Sequence, residues 1–308
     1  MTTTAETGVA AAAALTVAQI AAEQCWADPS ALARNAEKVA QCYQSAADDS
    51  DLVVFPELIL TGYIPLKGYD QTKKRILSEV ASRVAGDALP RLAALTQGRR
   101  AAIVCGFMEP TSVRYEMHNS VAVLQDGEIL GVYRKMHLPV EENHYFIPGD
   151  EAVVVDCRAG RIGLNICYDM VFPEAARLAA LRGAELLCVP SNWLAIEDLQ
   201  RLGDVLPVAR ALEHQMHVVF ANGVGELEVR GRHWNLYGTS TIVNAVGQKV
   251  ARAGAGEEIL KGSLPASSLA EAANVFPIMR DRRPDAYGDI AAPLSSFAGL
   301  RRSRRRQD

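Results

Sequence analysis

Residues 161–174 read RIGLNICYDMVFPE. A run rich in Ile and Leu ends in Cys167, the Tyr168-Asp169 pair follows, and Pro173-Glu174 opens the Ala- and Leu-rich stretch PEAARLAALRG. This order predicts a buried strand, a sharp turn and a helix, with Pro173 in the first helical turn and Gly183 as its stop. A strand covered by the helix that follows it is the repeating unit of layered α/β proteins, and their sites form beyond the carboxyl ends of strands. A cysteine in apolar surroundings is ordinarily a small core residue. Beside a helix N-terminus, however, its thiolate is favoured and it becomes a nucleophile. Cys167 therefore needs partners before it can be read as more than filler.

Outward from this segment the same units recur. Residues 14–22 (ALTVAQIAA), 51–57 (DLVVFPE), 101–109 (AAIVCGFME), 184–193 (AELLCVPSNW) and 217–225 (HVVFANGVG) are near-continuous apolar runs, as expected of strands covered on both faces. Helical patterns occupy residues 26–46, with Asp28 or Ser30 as N-cap, and 206–215. Residues 72–97 are helical too, with breaks expected near Gly86 and Pro90. Three hairpins are interleaved. Residues 120–135 turn at Asp126-Gly127, residues 152–167 turn near Gly160, and residues 238–253 form the last. Beyond about residue 265 the pattern is irregular. The whole predicts a mixed-sheet α/β sandwich in one domain, without internal repeats.

Composition narrows the function classes. The 308 residues are 49% hydrophobic and 22% charged, with a net charge of −4, which suits a globular protein and not a nucleic-acid binder. The tail at residues 301–306, RRSRRR, is read as a solvated end. The first 14 residues lack a basic residue (the first is Arg34), so a disordered lead-in is expected there, not a signal peptide. No run of about 18 apolar residues is present for a membrane span. Six cysteines without a C-x-x-C pair suit reduced thiols in a cytoplasmic protein. No GxGxxG or GxxxxGK[ST] loop occurs, and no cofactor is expected.

Two ionisable residues stand where Cys167 stands, at strand ends. Glu57 closes DLVVFPE and Lys135 closes GVYRK. Such groups are costly beside a core unless they are paired or working. A base, a cation and a thiol together form a set suited to nucleophilic acyl transfer. Glu57 would take the thiol proton and later activate water. Lys135 and the backbone N–H of Tyr168 would hold the oxyanion.

The blocks FPELILTGY, YRKMHLP and NICYDMVFPE, in that order, resemble the nitrilase superfamily of carbon–nitrogen hydrolases, over roughly residues 15 to 265. The resemblance implies an αββα four-layer sandwich in a carbon–nitrogen hydrolase domain over residues 15–285, followed by an extension at 286–308. It further implies pairing of two such units into a larger layered assembly, a homodimer or higher homo-oligomer. The implied catalytic triad is Glu57, Lys135 and Cys167, with Glu142 (or its neighbour Glu141) as a second glutamate that orients lysine and substrate. His137 is, by the same resemblance, a structural neighbour.

Tyr168-Asp169 after the nucleophile, in place of Trp-Glu, resembles branches that cleave amides, including short aliphatic amides and ω-amides. The Glu142 segment resembles branches acting on N-carbamoyl amines. Tyr63, Tyr168, Asn192 and Trp193 are the candidate substrate-binding residues, and Arg201 is the one arginine noted in the loop expected at 194–206. His214 and His217 lack a third ligand at suitable spacing, so no metal is expected. The expectation is a cofactor-free hydrolysis of a small carboxamide through a cysteine thioester. N-carbamoyl hydrolysis, nitrile hydrolysis and acyl transfer are the alternatives.

Overall fold

A computed structural model of the chain describes residues 13–66, 69–229 and 232–291. Apart from Ala13 and Ala14, the expected lead-in lies outside these residues, as does the RRSRRR tail. The first half of the chain forms β1 (Ala13–Gln19), α1 (Ala31–Ala46), β2 (Leu52–Val54), α2 (Gln71–Arg83), α3 (Leu89–Leu95), β3 (Ala102–Pro110), β4 (Met117–Gln125) and β5 (Glu128–Arg134). The second half forms β6 (Val154–Cys157), β7 (Gly160–Leu164), α4 (Pro173–Leu181), β8 (Leu186–Ser191), α5 (Glu197–His214) and β9 (His217–Asn222). It continues with β10 (Glu226–Val229), β11 (Arg232–Asn235), β12 (Thr241–Val243), β13 (Lys249–Arg252), β14 (Glu258–Leu264) and α6 (Ser267–Val275).

Two six-stranded mixed sheets result, ordered β14-β1-β2-β3-β4-β5 and β13-β12-β9-β8-β7-β6. Each has three parallel strands at its centre, β1–β3 in one and β7–β9 in the other. Antiparallel strands flank both centres. The alternation of side chains explains the layers. On β2, Leu52 and Val54 face the second sheet and meet Ile162, Leu164, Val189 and Phe220. Val53 points the other way, against Val39 and Tyr43 of α1 and Leu92 of α3. Helices α4 and α5 cover the second sheet through Ala176, Ala179 and Ala211. Helix, sheet, sheet and helix are the four layers, and burial on both faces is why the strands read as unbroken apolar runs.

The hairpin at Asp126-Gly127 turns as expected, with φ of 51° and 83° at its two central residues. Other expectations need correction. Residues 71–95 are not broken at Gly86 or Pro90. A π-helical stretch, Val84–Ala88, carries α2 directly into α3, and Pro90 falls in the first turn of α3, where its missing N–H is harmless. The loop expected at 194–206 is mostly the start of α5, which runs through Pro207. Strand β14 and the β10–β11 hairpin were not anticipated, and neither was α6. Among the described residues no helix is long and apolar enough to cross a membrane.

One close approach fixes the strand end that carries Glu57. A Cβ on Gly106, in β3, would lie 2.5 Å from the Leu58 nitrogen and 2.9 Å from the Glu57 Cα. Only a residue without a side chain lets the 56–58 backbone cross β3 there. Gly106→Ala is expected to lower unfolding free energy by about 1–3 kcal/mol, as overpacking of a filled core does. Denaturant melts of the two proteins measure it, and an unchanged midpoint would show that the crossing has room to spare.

Candidate active site

Cys167 is the residue at which the chain leaves β7 and reverses. Its φ is 50°, in the left-handed region that non-glycine residues seldom occupy, and it begins a single 3-10 turn, Cys167–Val171. Helix α4 starts only at Pro173. The turn thus stands between the thiol and the helix, and the favourable helix-end field, which fades within one turn, does not set the state of the sulfur. Burial pushes the Cys167 thiol well above its ordinary pKa; Glu57 pushes it further, while Lys135 and the Asn192 backbone pull back. The expectation of a favoured thiolate is corrected. This environment favours the neutral thiol, and a neutral thiol needs a base.

The base and the cation lie at strand ends of the first sheet. Glu57 follows β2, and Leu58 after it also turns through the left-handed region, with φ of 51°. Lys135 follows β5, its N–H held by the Asn119 carbonyl at 2.9 Å. The Lys135 ammonium donates to Glu57 Oε1 at 2.7 Å and to Glu142 Oε1 at 2.6 Å, and all three side chains are fully buried. Burial pulls the Lys135 pKa down, but Glu142 and then Glu57 outweigh it and hold the ammonium well above the ordinary lysine range. Glu142 is raised by burial against the opposing pull of Lys135. Of the two glutamates, Glu142 contacts Lys135, and both stand on the wall of the adjoining cavity.

Tyr63 Oη donates to Glu142 Oε1, and burial followed by the nearby carboxylates holds the phenol protonated. Asn192 Nδ2 donates to the Glu57 carbonyl at 2.6 Å, so it braces the base as well as lining the cavity. Trp193 is buried, its N–H on Asn222 Oδ1 at 2.8 Å and its ring edge-on to Phe220. Tyr168 is half exposed at the rim, edge-on to Phe172. Cys167, Glu142, Tyr63, Tyr168, Asn192 and Trp193 all line one cavity of about 580 Å³. Arg201 does not line it; its guanidinium pairs with Asp198 at an exposed position on α5.

Two residues escaped the sequence reading. Asn119, on β4, donates to Glu57 Oε1 at 2.7 Å and reaches Glu142 Oε2 at 3.4 Å, spanning both carboxylates. Its signal was a polar residue in the inward row of Met117, Val121 and Val123. Asp169, fully buried, accepts from Tyr133 Oη at 2.7 Å, from the Ile166 N–H at 3.0 Å and from the His137 N–H at 2.9 Å. It ties the turn carrying Cys167 to the segment carrying Lys135. His137 also meets Asp169 through Nδ1 at 2.8 Å and stacks on Phe172. His217 Nδ1 accepts from the Ala245 N–H at 3.2 Å, and burial lowers its pKa to about 4. Among the described residues no group of three or more His, Cys, Asp or Glu is arranged to hold a metal ion.

Comparison with known proteins agrees with this geometry. The carbon–nitrogen hydrolase family profile matches residues 13–274. A hydrolase encoded in the pqqF 5′ region of Pseudomonas protegens is 34% identical, over 89% of this chain and 92% of its own length. An (R)-stereoselective amidase of a Pseudomonas species is also 34% identical, over 82% of this chain and 85% of its own. A solved mutant of the amidase from Nesterenkonia sp. AN1 is 25% identical, superposes with a TM-score of 0.73, and covers 90% of this chain and 97% of its own. That mutant carries the acetamide moiety of fluoroacetamide covalently added at its active site cysteine. A chain matched over so much of its length, with a thiol and a glutamate lining one cavity and a buried ammonium joining that glutamate to a second one, belongs to the carbon–nitrogen hydrolase family of the nitrilase superfamily and is an enzyme that hydrolyses carbon–nitrogen bonds.

Proposed function

We propose that this enzyme hydrolyses a small carboxamide to the carboxylic acid and ammonia through a thioester on Cys167. The observation that carries the reading is the buried Lys135 ammonium, shared between Glu57 and Glu142 beside the cavity that Cys167 lines. The Cys167 sulfur attacks the amide carbonyl carbon while its proton passes to the Glu57 carboxylate. The oxyanion that forms accepts from the Lys135 ammonium and the Tyr168 N–H, donors that need no reorganisation in a dry site. Collapse breaks the C–N bond, and Glu57 returns the proton to the departing ammonia. Water then attacks the thioester, giving a proton to Glu57; collapse breaks the C–S bond, Glu57 returns that proton to the Cys167 sulfur, and the acid leaves. Glu142 keeps its carboxylate on Lys135 throughout, with Tyr63 and Asn119 fixing its orientation.

Tyr168-Asp169 following the nucleophile supports an amide over a nitrile as substrate. A cytoplasmic location, with no nucleic-acid or membrane partner, suits six unpaired cysteines. A homodimer is part of the same proposal. Leu178 and Leu181 of α4, with Phe276, Ile278 and Ile290, are exposed and line a surface cavity of about 1040 Å³, an apolar face of the kind that pairing covers. Sedimentation should therefore give twice the chain mass for the native protein and a monomer for Leu181→Asp, and a native monomer would remove the dimer.

Ammonia release from a panel of amides, nitriles and N-carbamoyl amines, with intact-mass detection of an acyl adduct, checks the reaction. Cys167→Ala should fold normally, form no adduct and lose at least about 10⁴-fold in turnover. Glu57→Gln should lose at least about 10²-fold. Full amidase turnover in a folded Cys167→Ala protein would end the reading. Faster ammonia release from nitriles or N-carbamoyl amines, or acyl transfer to added amine in preference to water, would move the reaction to one of those alternatives.

A further inference from the structure

The wall of the cavity beyond Cys167 has a composition that bears on the substrate. Leu199 and Leu202 project from successive turns of α5, Leu227 comes from β10, Val171 ends the turn that Cys167 begins, and Leu66 and Trp193 complete an apolar lining. The ionisable carboxyl groups of that wall are those of Glu141 and Glu142. Among the described lining residues there is no Lys, Arg or His. Lys135 lies behind Glu142 with its charge already shared by two carboxylates, and Arg201 pairs with Asp198 outside the lining. The apolar character extends outward, since Val140 and Leu202, both lining residues, are exposed at the rim.

A carboxylate entering this cavity would leave water for apolar walls, find no cation among the described lining residues, and approach the carboxyl group of Glu142. An alkyl or aryl group would instead exchange water for the same walls favourably. Resting on the amidase reading above, we propose that the substrate is an amide with a neutral, apolar acyl group, and that ω-amides of dicarboxylates are excluded. Leu199 and Leu202 are the specificity-determining residues. The family resemblance left short aliphatic amides and ω-amides equally open; the lining chooses between them.

Two matched probes test this, pentanamide and glutaramate, which differ by a terminal methyl in place of a carboxylate. Initial rates of ammonia release by the full-length enzyme give kcat/KM for each. Pentanamide should exceed glutaramate by at least about tenfold, and straight-chain amides from propionamide to pentanamide should gain about fourfold per methylene. Leu199→Arg and Leu202→Arg place a cation on the wall, and each should raise the glutaramate-to-pentanamide ratio by at least tenfold. The ratio is taken within one preparation, so partial misfolding of a variant cancels. Glutaramate within tenfold of pentanamide in the native enzyme, or ratios unmoved in both arginine variants, would overturn the proposal. Absence of ammonia from every amide, with no acyl adduct on Cys167, would instead mark failure of the amidase reading and take the substrate class down with it.

Discussion

Everything at the site depends on one buried cation. Lys135 is fully enclosed and lies between two equally enclosed carboxylates. Removing three charges from water is expensive, and the arrangement persists only because each is met by short, directed hydrogen bonds. Asn119 and Tyr63 add further donors, while Glu57 Oε2 has none among the described residues. The partners arrive from distant parts of the chain: Glu57 after β2, Lys135 after β5, Glu142 from the 3-10 turn Glu142–His144. The sandwich brings these strand ends to one place, and Asn192, from beyond β8 of the other sheet, locks the Glu57 backbone across the gap.

That cluster governs the nucleophile. Burial, Glu57 and Glu142 all disfavour charge on the sulfur and outweigh the pull of Lys135, so a resting thiolate would be costly where little solvent can screen it. The protein therefore holds a neutral thiol close to a base. Asp169 joins Ile166 and His137 on a single carboxylate, so the turn carrying Cys167 cannot drift relative to the segment carrying Lys135. The left-handed backbone at Cys167 is a local strain of the kind that functional sites retain.

The sandwich and the principal site residues were legible because they are local signals. Apolar runs ending in Glu57 and Cys167, and Lys135 closing a hairpin strand, each announce themselves within a few residues. What escaped depends on distant partners. Strand β14 belongs to the first sheet only through β1, from Ala13↔Leu264 to Gln19↔Glu258, across almost the whole chain. The short β10–β11 pair has mixed polar composition and gave no period. Gly86 and Pro90 suggested a break, yet a π-helical stretch holds Gly86 and the first turn of α3 takes Pro90. The thiolate expected at Cys167 failed for a related reason: the helix start was placed correctly, but the intervening 3-10 turn and the negative cluster are three-dimensional facts.

The most direct test of the central claim is the ultraviolet thiolate absorbance of Cys167, taken as the difference between the native protein and Cys167→Ser. It would be titrated without substrate from about pH 6 to about pH 9, spanning the ordinary thiol pKa near 8.5. The raised Cys167 pKa calls for a flat difference across that range. A titration step below the ordinary thiol value would mean that Cys167 rests as a thiolate, and would contradict a neutral thiol held beside Glu57 by the charge cluster around Lys135.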